Sequence, residues 1–234
     1  MKKQEKNMKM SMKMKKLIGA ALVAVAAAVP SFAAVELGAD IYAVPFNRVK
    51  PEHMDSLYEV VPAGFQVSAA FYFGEIKPFS IGLKLEMSCD EFDWIHDGSS
   101  FTEIDGGFNG RFAAGPTMRL STSTGRHSLH ITPGAFFNVM GMTDERADER
   151  DVYDVLLTLE GGVHLDVGYN FWVVQKESFG LGLNFGADYA VGFGRTATTA
   201  WKDREEEFGS TDWSGMDWAQ HLTLYTGVTF RIGN

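Results

Sequence analysis

Cysteine is almost missing from this chain: Cys89 is the only one in 234 residues. A single thiol excludes an intramolecular disulfide framework, a zinc knuckle and a CxxC redox pair. Long apolar runs are missing as well. Beyond the N-terminus no stretch approaches the roughly 20 apolar residues a spanning helix needs. The mean hydropathy of -0.09 is too low for a polytopic helical membrane protein. Basic residues are outnumbered, 21 Lys and Arg against 30 Asp and Glu, which argues against nucleic acid as a partner. No GxSxG, HExxH or P-loop motif occurs. What remains has the length of one good-sized domain.

What is present begins with an export signal. Lys2, Lys3, Lys6, Lys9, Lys13, Lys15 and Lys16 form a basic start, the apolar run Leu17 to Val29 follows, and Ser31-Phe32-Ala33 ends it. That is the order signal peptidase reads, so residues 1–33 are expected to be cleaved. Losing seven Lys and one Glu leaves 14 basic and 29 acidic residues, a net charge of -15 on 34–234.

The rest alternates with period two in eight segments, the signature of strands. They run through Val35–Ala43, Phe65–Phe73, Phe79–Ser88, Arg111–Leu120, Ser128–Val139, Val155–Gly168, Phe179–Val191 and His221–Ile232, and no charge interrupts an apolar face. Short turns at Gly74–Pro78, Ser121–Arg126 and Val174–Ser178 take turns with long acidic connections at Phe46–Ala63, Cys89–Gly107, Met142–Asp154 and Gly194–Asp217. Strict alternation of short and long connections puts every long one at the same end of an up-and-down meander. Neither a repeat nor a linker divides 34–234, so it reads as one domain.

Volume decides which face points inward. An eight-stranded barrel has room only for its own side chains. The bulky Phe, Leu, Ile and Val set cannot fit there, whereas the opposite Gly, Ser, Ala and Thr set can. Bulk outside means that the outer solvent is lipid. Phe73, Phe79, Phe171, Phe179 and Phe230 fall toward the short-turn end, and Phe65, Phe193 and Trp218 toward the loop end, as interface girdles would. The expected fold is all-β: an eight-stranded antiparallel up-and-down transmembrane β-barrel. A soluble lipocalin-like binding barrel, with the faces reversed, is the alternative. Pro116 and Pro133 fall inside strands of a barrel that has no edge, which calls for local bulges.

In this pattern, and in Ile131-Thr132-Pro133-Gly134-Ala135-Phe136-Phe137 and the closing Leu224-Tyr225-Thr226-Gly227-Val228-Thr229-Phe230, the chain resembles the small eight-stranded bacterial outer-membrane barrels of the OmpA/OmpX/OmpW-like class. The resemblance implies a monomer in the outer membrane, surrounded by outer-membrane lipids and inserted by the outer-membrane assembly machinery. It also implies an alternative role as a narrow channel for small hydrophobic or ionic solutes.

The inward set carries Glu36, Asp40, Lys84, Glu86, Arg111, Arg119, Glu160, Asp166, Asp188 and Arg231, with His130, His164 and His221. Charges in so narrow a lumen must be paired, because an isolated buried charge costs several kcal/mol. Neighbouring strands suggest Glu86 with Arg111, Glu36 with Arg231 and Asp188 with His221, a plug rather than a path. His127, Ser128 and His130 are the only local nucleophile–base candidates, yet His127 and Ser128 point to opposite faces. No catalytic residue, cofactor or metal site is expected. The connections hold acidic and aromatic residues, Asp90, Asp93 and Trp94 in one and Trp201 and Trp213 in another. Asp90, Asp93 and Asp97 do not have calcium-loop spacing. Such loops suit surface recognition of an extracellular ligand or simple solvation.

Overall fold

The computed structural model describes residues 34–49, 58–59, 63–73, 78–96, 101–143, 155–200 and 219–233. The export signal at 1–33 lies outside them. Eight long strands are present: β1 (Ala34–Val49), β3 (Ala63–Phe73), β4 (Phe79–His96), β5 (Phe101–Ser121), β6 (His127–Thr143), β7 (Val155–Lys176), β8 (Phe179–Ala200) and β9 (Ala219–Gly233). A two-residue strand, β2 (Tyr58–Glu59), adds to β1 and β4 at the loop end. Each long strand pairs antiparallel with the next, and β9 returns to β1 from Ala34↔Gly233 to Arg48↔Gln220. The barrel is closed.

Its faces are inside out relative to a soluble protein. Phe65, 71 % exposed, is joined outside by Phe73, Phe79, Leu83, Phe112, Phe137, Phe185 and Phe230, while Lys84, Glu86, Arg119, Glu160 and Asp166 are buried. In water that arrangement would expose apolar surface on every side and bury charge at the centre. Only a hydrocarbon solvent makes both favourable. This removes the lipocalin-like alternative. Among the described residues no helix is long and apolar enough to span a membrane; the crossing is made by strands.

The strands outrun the membrane. β7 and β8 have 22 residues each, about twice the 9–11 that a bilayer requires. Connection boundaries move accordingly, the first because β1 continues through Phe46 to Val49. The β4–β5 ladder continues to His96↔Phe101, so Asp90 is a buried residue of the barrel wall rather than a surface loop residue. Asp93 and Trp94 belong to β4, their side chains outside the described residues. β8 extends to Ala200, and Trp201 and Trp213 lie outside the described residues. At the other end β7 reaches Lys176, which shrinks the last short turn to Glu177 and Ser178. Past the lipid boundary outward residues need no longer be apolar, so the hydrophobic alternation stops where the hydrogen-bonded ladder does not.

No bulge accommodates Pro116 and Pro133. β5 and β6 keep one register from Gly106↔Thr143 to Ser121↔Ser128, with pairing lost only across 115–117 and 132–134. In that register the two prolines lie opposite each other, so their missing N–H groups fall within one gap. Thr132 Oγ1 donates to Thr117 Oγ1 at 2.9 Å across it, both residues buried. Thr117→Val should therefore lower barrel stability by about 1 kcal/mol, the worth of one buried hydrogen bond. Urea unfolding in lipid would measure the loss. An unchanged midpoint would mean that the gap needs no such clamp. Bulges do occur elsewhere, at Val173 in β7 and Phe193 in β8. The β5–β6 turn closes on Gly125, whose φ of 68° a side chain would strain.

Candidate functional site

β7 serves as a ruler for the lumen. From the short-turn end its inward side chains include Trp172, Asn170, Asp166, His164 and Glu160, and each of these anchors one cluster. Trp172, only 1 % exposed, donates its indole N–H to Ser128 Oγ at 3.1 Å. The Arg231 and Arg119 guanidinium carbons lie 4.8 and 5.6 Å from its ring centroid. Asn170 donates to Glu36 Oε2 at 3.4 Å, and Arg119 Nη1 lies 3.0 Å from Glu36 Oε1.

Asp166 holds the densest cluster. Its Oδ2 accepts from Lys84 Nζ at 2.7 Å and lies 3.2 Å from His130 Nε2, while its Oδ1 accepts from Tyr225 Oη at 2.6 Å. Lys84 also reaches Glu86 at 2.8 Å, and Gln66 donates to Glu86 at 3.2 Å. Wall glycines make room for the rings: a Cβ at Gly168 would overlap His130, and one at Gly186 would overlap Tyr225. One step up, Asp188 takes His164 Nδ1 at 2.5 Å and Arg111 Nη2 at 2.6 Å. At the top His221 Nε2 lies 2.9 Å from Glu160 Oε1. Asp40 accepts from Asn184 at 3.0 Å, and Asp90 accepts from Tyr42 and from Asn109, the latter at 3.2 Å.

The expected inward set is thus brought together, but with different partners. Glu86 pairs with Lys84, and Arg111 reaches Asp188 instead of Glu86. Glu36 does lie opposite Arg231 in the β1–β9 ladder, but its ion pair is with Arg119. Asp188 is engaged by Arg111 and His164, and His221 sits on Glu160. Sequence reasoning gave little weight to the inward aromatics Tyr42, Tyr72, Phe136, Trp172 and Tyr225, all buried. The signal was available: each falls on the polar side of its strand's alternation.

Chemically the lumen is closed. Through its middle, among the described residues, it leaves cavities of about 10 and 20 Å³, each enough for about one water molecule. His164 and Asp188 resemble the base half of a hydrolytic site. However, His164 Nε2 is buried without a hydrogen-bond partner, facing Gly134. Glu86, His164 and Asp188 also bring ligand atoms within 4.8 Å of one another. Lys84 and Arg111 already neutralise those two carboxylates, so a cation there would have to displace fixed charge. His127 bonds Tyr169 Oη at 2.5 Å, turned away from Ser128.

No protein-family model and no curated protein matches the sequence. Among solved structures, a major outer membrane protein from Thermus thermophilus is similar at 14 % identity over 85 % of this chain and 99 % of that one, with a TM-score of 0.49. Ail, the attachment invasion locus protein of Yersinia pestis, is similar at 15 % identity over 84 % and 98 %, TM-score 0.42. Neisserial surface protein A gives 8 % identity over 86 % and 99 %, TM-score 0.43. No residue role is carried over from them. On its own geometry the chain is a closed, inside-out, membrane-spanning β-barrel.

Proposed function

We propose that this barrel is a passive membrane anchor for its long connections, which serve a structural or surface-recognition role at the cell exterior, with no catalytic step and no conduction. The observation that carries the reading is the filled lumen. Side chains from opposite walls meet through its middle, where the two cavities among the described residues are each the size of a single water. A channel for small solutes would need a continuous opening, so that alternative has no support in the interior. The chemistry left for interaction is outside: segments 144–154 and 201–218 carry Glu145, Asp148, Glu149 and Glu205, Glu206, Glu207 together with Trp201 and Trp213. Acidic residues interleaved with aromatics suit a basic or sugar-bearing partner. The barrel acts as a monomer placed by the assembly machinery, since its first and last long strands pair with each other and leave no long edge for a second copy.

The test replaces 203–216 and 145–153 in turn with short Gly-Ser turns. Both variants should keep heat-modifiable gel mobility, because the β1–β9 ladder that closes the barrel runs between residues outside both segments. Adhesion of expressing cells to surfaces coated with basic peptides or glycans should fall. Adhesion unchanged in both would leave a structural role alone.

A further inference from the structure

At the short-turn end the lumen widens into a cavity of about 720 Å³. Both ends of the barrel domain lie at this end, Ala34 opposite Gly233, and short turns mark the periplasmic side of such barrels. The cavity is lined by Arg119, Ser121, Gln175, Lys176, Glu177 and Arg231, among others. Exposed turn residues, Thr122 to Thr124 and Gln175 to Glu177, form its rim, and Arg119, 1 % exposed, and Arg231, 9 %, form its buried floor. Yet Arg119 Nε, Nη1 and Nη2, Arg231 Nε and Ser121 Oγ are buried with no hydrogen-bond partner. The contact of Arg119 with Glu36 is close but off the hydrogen-bonding direction. Buried donors left without acceptors cost free energy, and a guanidinium more than most.

We propose that Arg119 and Arg231 form an oxyanion-binding site at the periplasmic mouth, taking a phosphate, sulfate or carboxylate group. Three features support it together. The guanidiniums are prepositioned, both against the Trp172 ring and Arg119 also 5.6 Å from the Tyr72 ring, so little rotamer freedom is lost on binding. The lining carries Arg119, Arg231 and Lys176 against Glu177 at the rim, with Glu36 beneath, an excess of positive charge in an otherwise acidic chain. The unpaired donors are guanidinium N–H groups, the kind from which an oxyanion accepts in bidentate fashion.

The experiment follows the arginine Nε–H resonances by NMR in zwitterionic nanodiscs, titrating inorganic phosphate at constant ionic strength. Arg119 and Arg231 should shift with saturation, whereas Arg111, engaged by Asp188, should not. Arg231→Gln should weaken phosphate about tenfold, and Arg231→Lys less, with the heat-modifiable fold retained in both. A second arm omits phosphate and uses phosphatidylglycerol nanodiscs. Saturable shifts there alone would assign the oxyanion to a lipid headgroup. Shifts that rise linearly, appear equally at Arg111 or keep the same midpoint in Arg231→Gln would overturn the site, as would silence in both arms.

Discussion

Asp166→Ala should cost the barrel about 3–5 kcal/mol, the penalty for removing one partner of a buried ion pair. Asp166 is fully buried and serves three groups at once, Lys84, His130 and Tyr225. Lys84 keeps Glu86, which softens the loss but leaves one ammonium sharing a single carboxylate with Gln66. Equilibrium unfolding in lipid would measure the change, read beside the triple variant Lys84→Met, Asp166→Leu and Glu86→Gln. Removing the ammonium together with both carboxylates it pairs should recover much of the stability, because neutral groups of similar size avoid the desolvation that the charges must overcome. A single variant that loses less than about 1 kcal/mol would show that water readily solvates Lys84 there, and that the lumen is wetter than its geometry indicates.

The same cluster explains why the fold was legible in the sequence and the pairing was not. Period-two alternation states which face each residue occupies, and steric volume then decides which face is inside. Glu36, Lys84, Arg119 and Asp166 were readable as inward on those grounds alone. Partners read from strands that neighbour each other in the barrel give Glu86 with Arg111, Glu36 with Arg231 and Asp188 with His221. In a lumen this narrow, long side chains instead reach across the axis: Lys84 on β4 to Asp166 on β7, Arg111 on β5 to Asp188 on β8, Arg119 on β5 to Glu36 on β1. Shear and stagger decide which inward residues share a level, and no local pattern encodes them. The prolines carry the same lesson in smaller form. Pro116 and Pro133 are each an irregularity when read singly. Their mutual opposition across β5 and β6 emerges only with the register.

Adjacent residues on β7 give the sharpest contrast between the two solvents. Leu165 is 46 % exposed on the outer face, next to Asp166 at the barrel centre. Leu165→Arg should destabilise the barrel by about 2–4 kcal/mol, the cost of a cation on the lipid face near the bilayer midplane. Depth should grade the effect. The same change at Phe73, on the outer face at the short-turn end of β3, should cost about 0–1 kcal/mol, because an arginine there reaches the headgroups. Unfolding midpoints in bilayers of defined thickness would separate the two, and a thinner bilayer should shrink the Leu165 penalty as its position moves closer to the interface. Equal costs at both positions would mean that the apolar belt is not centred on Leu165. A cost near zero at both would mean that the outer face meets something other than hydrocarbon, which would undo the inside-out reading from which the rest of the architecture follows.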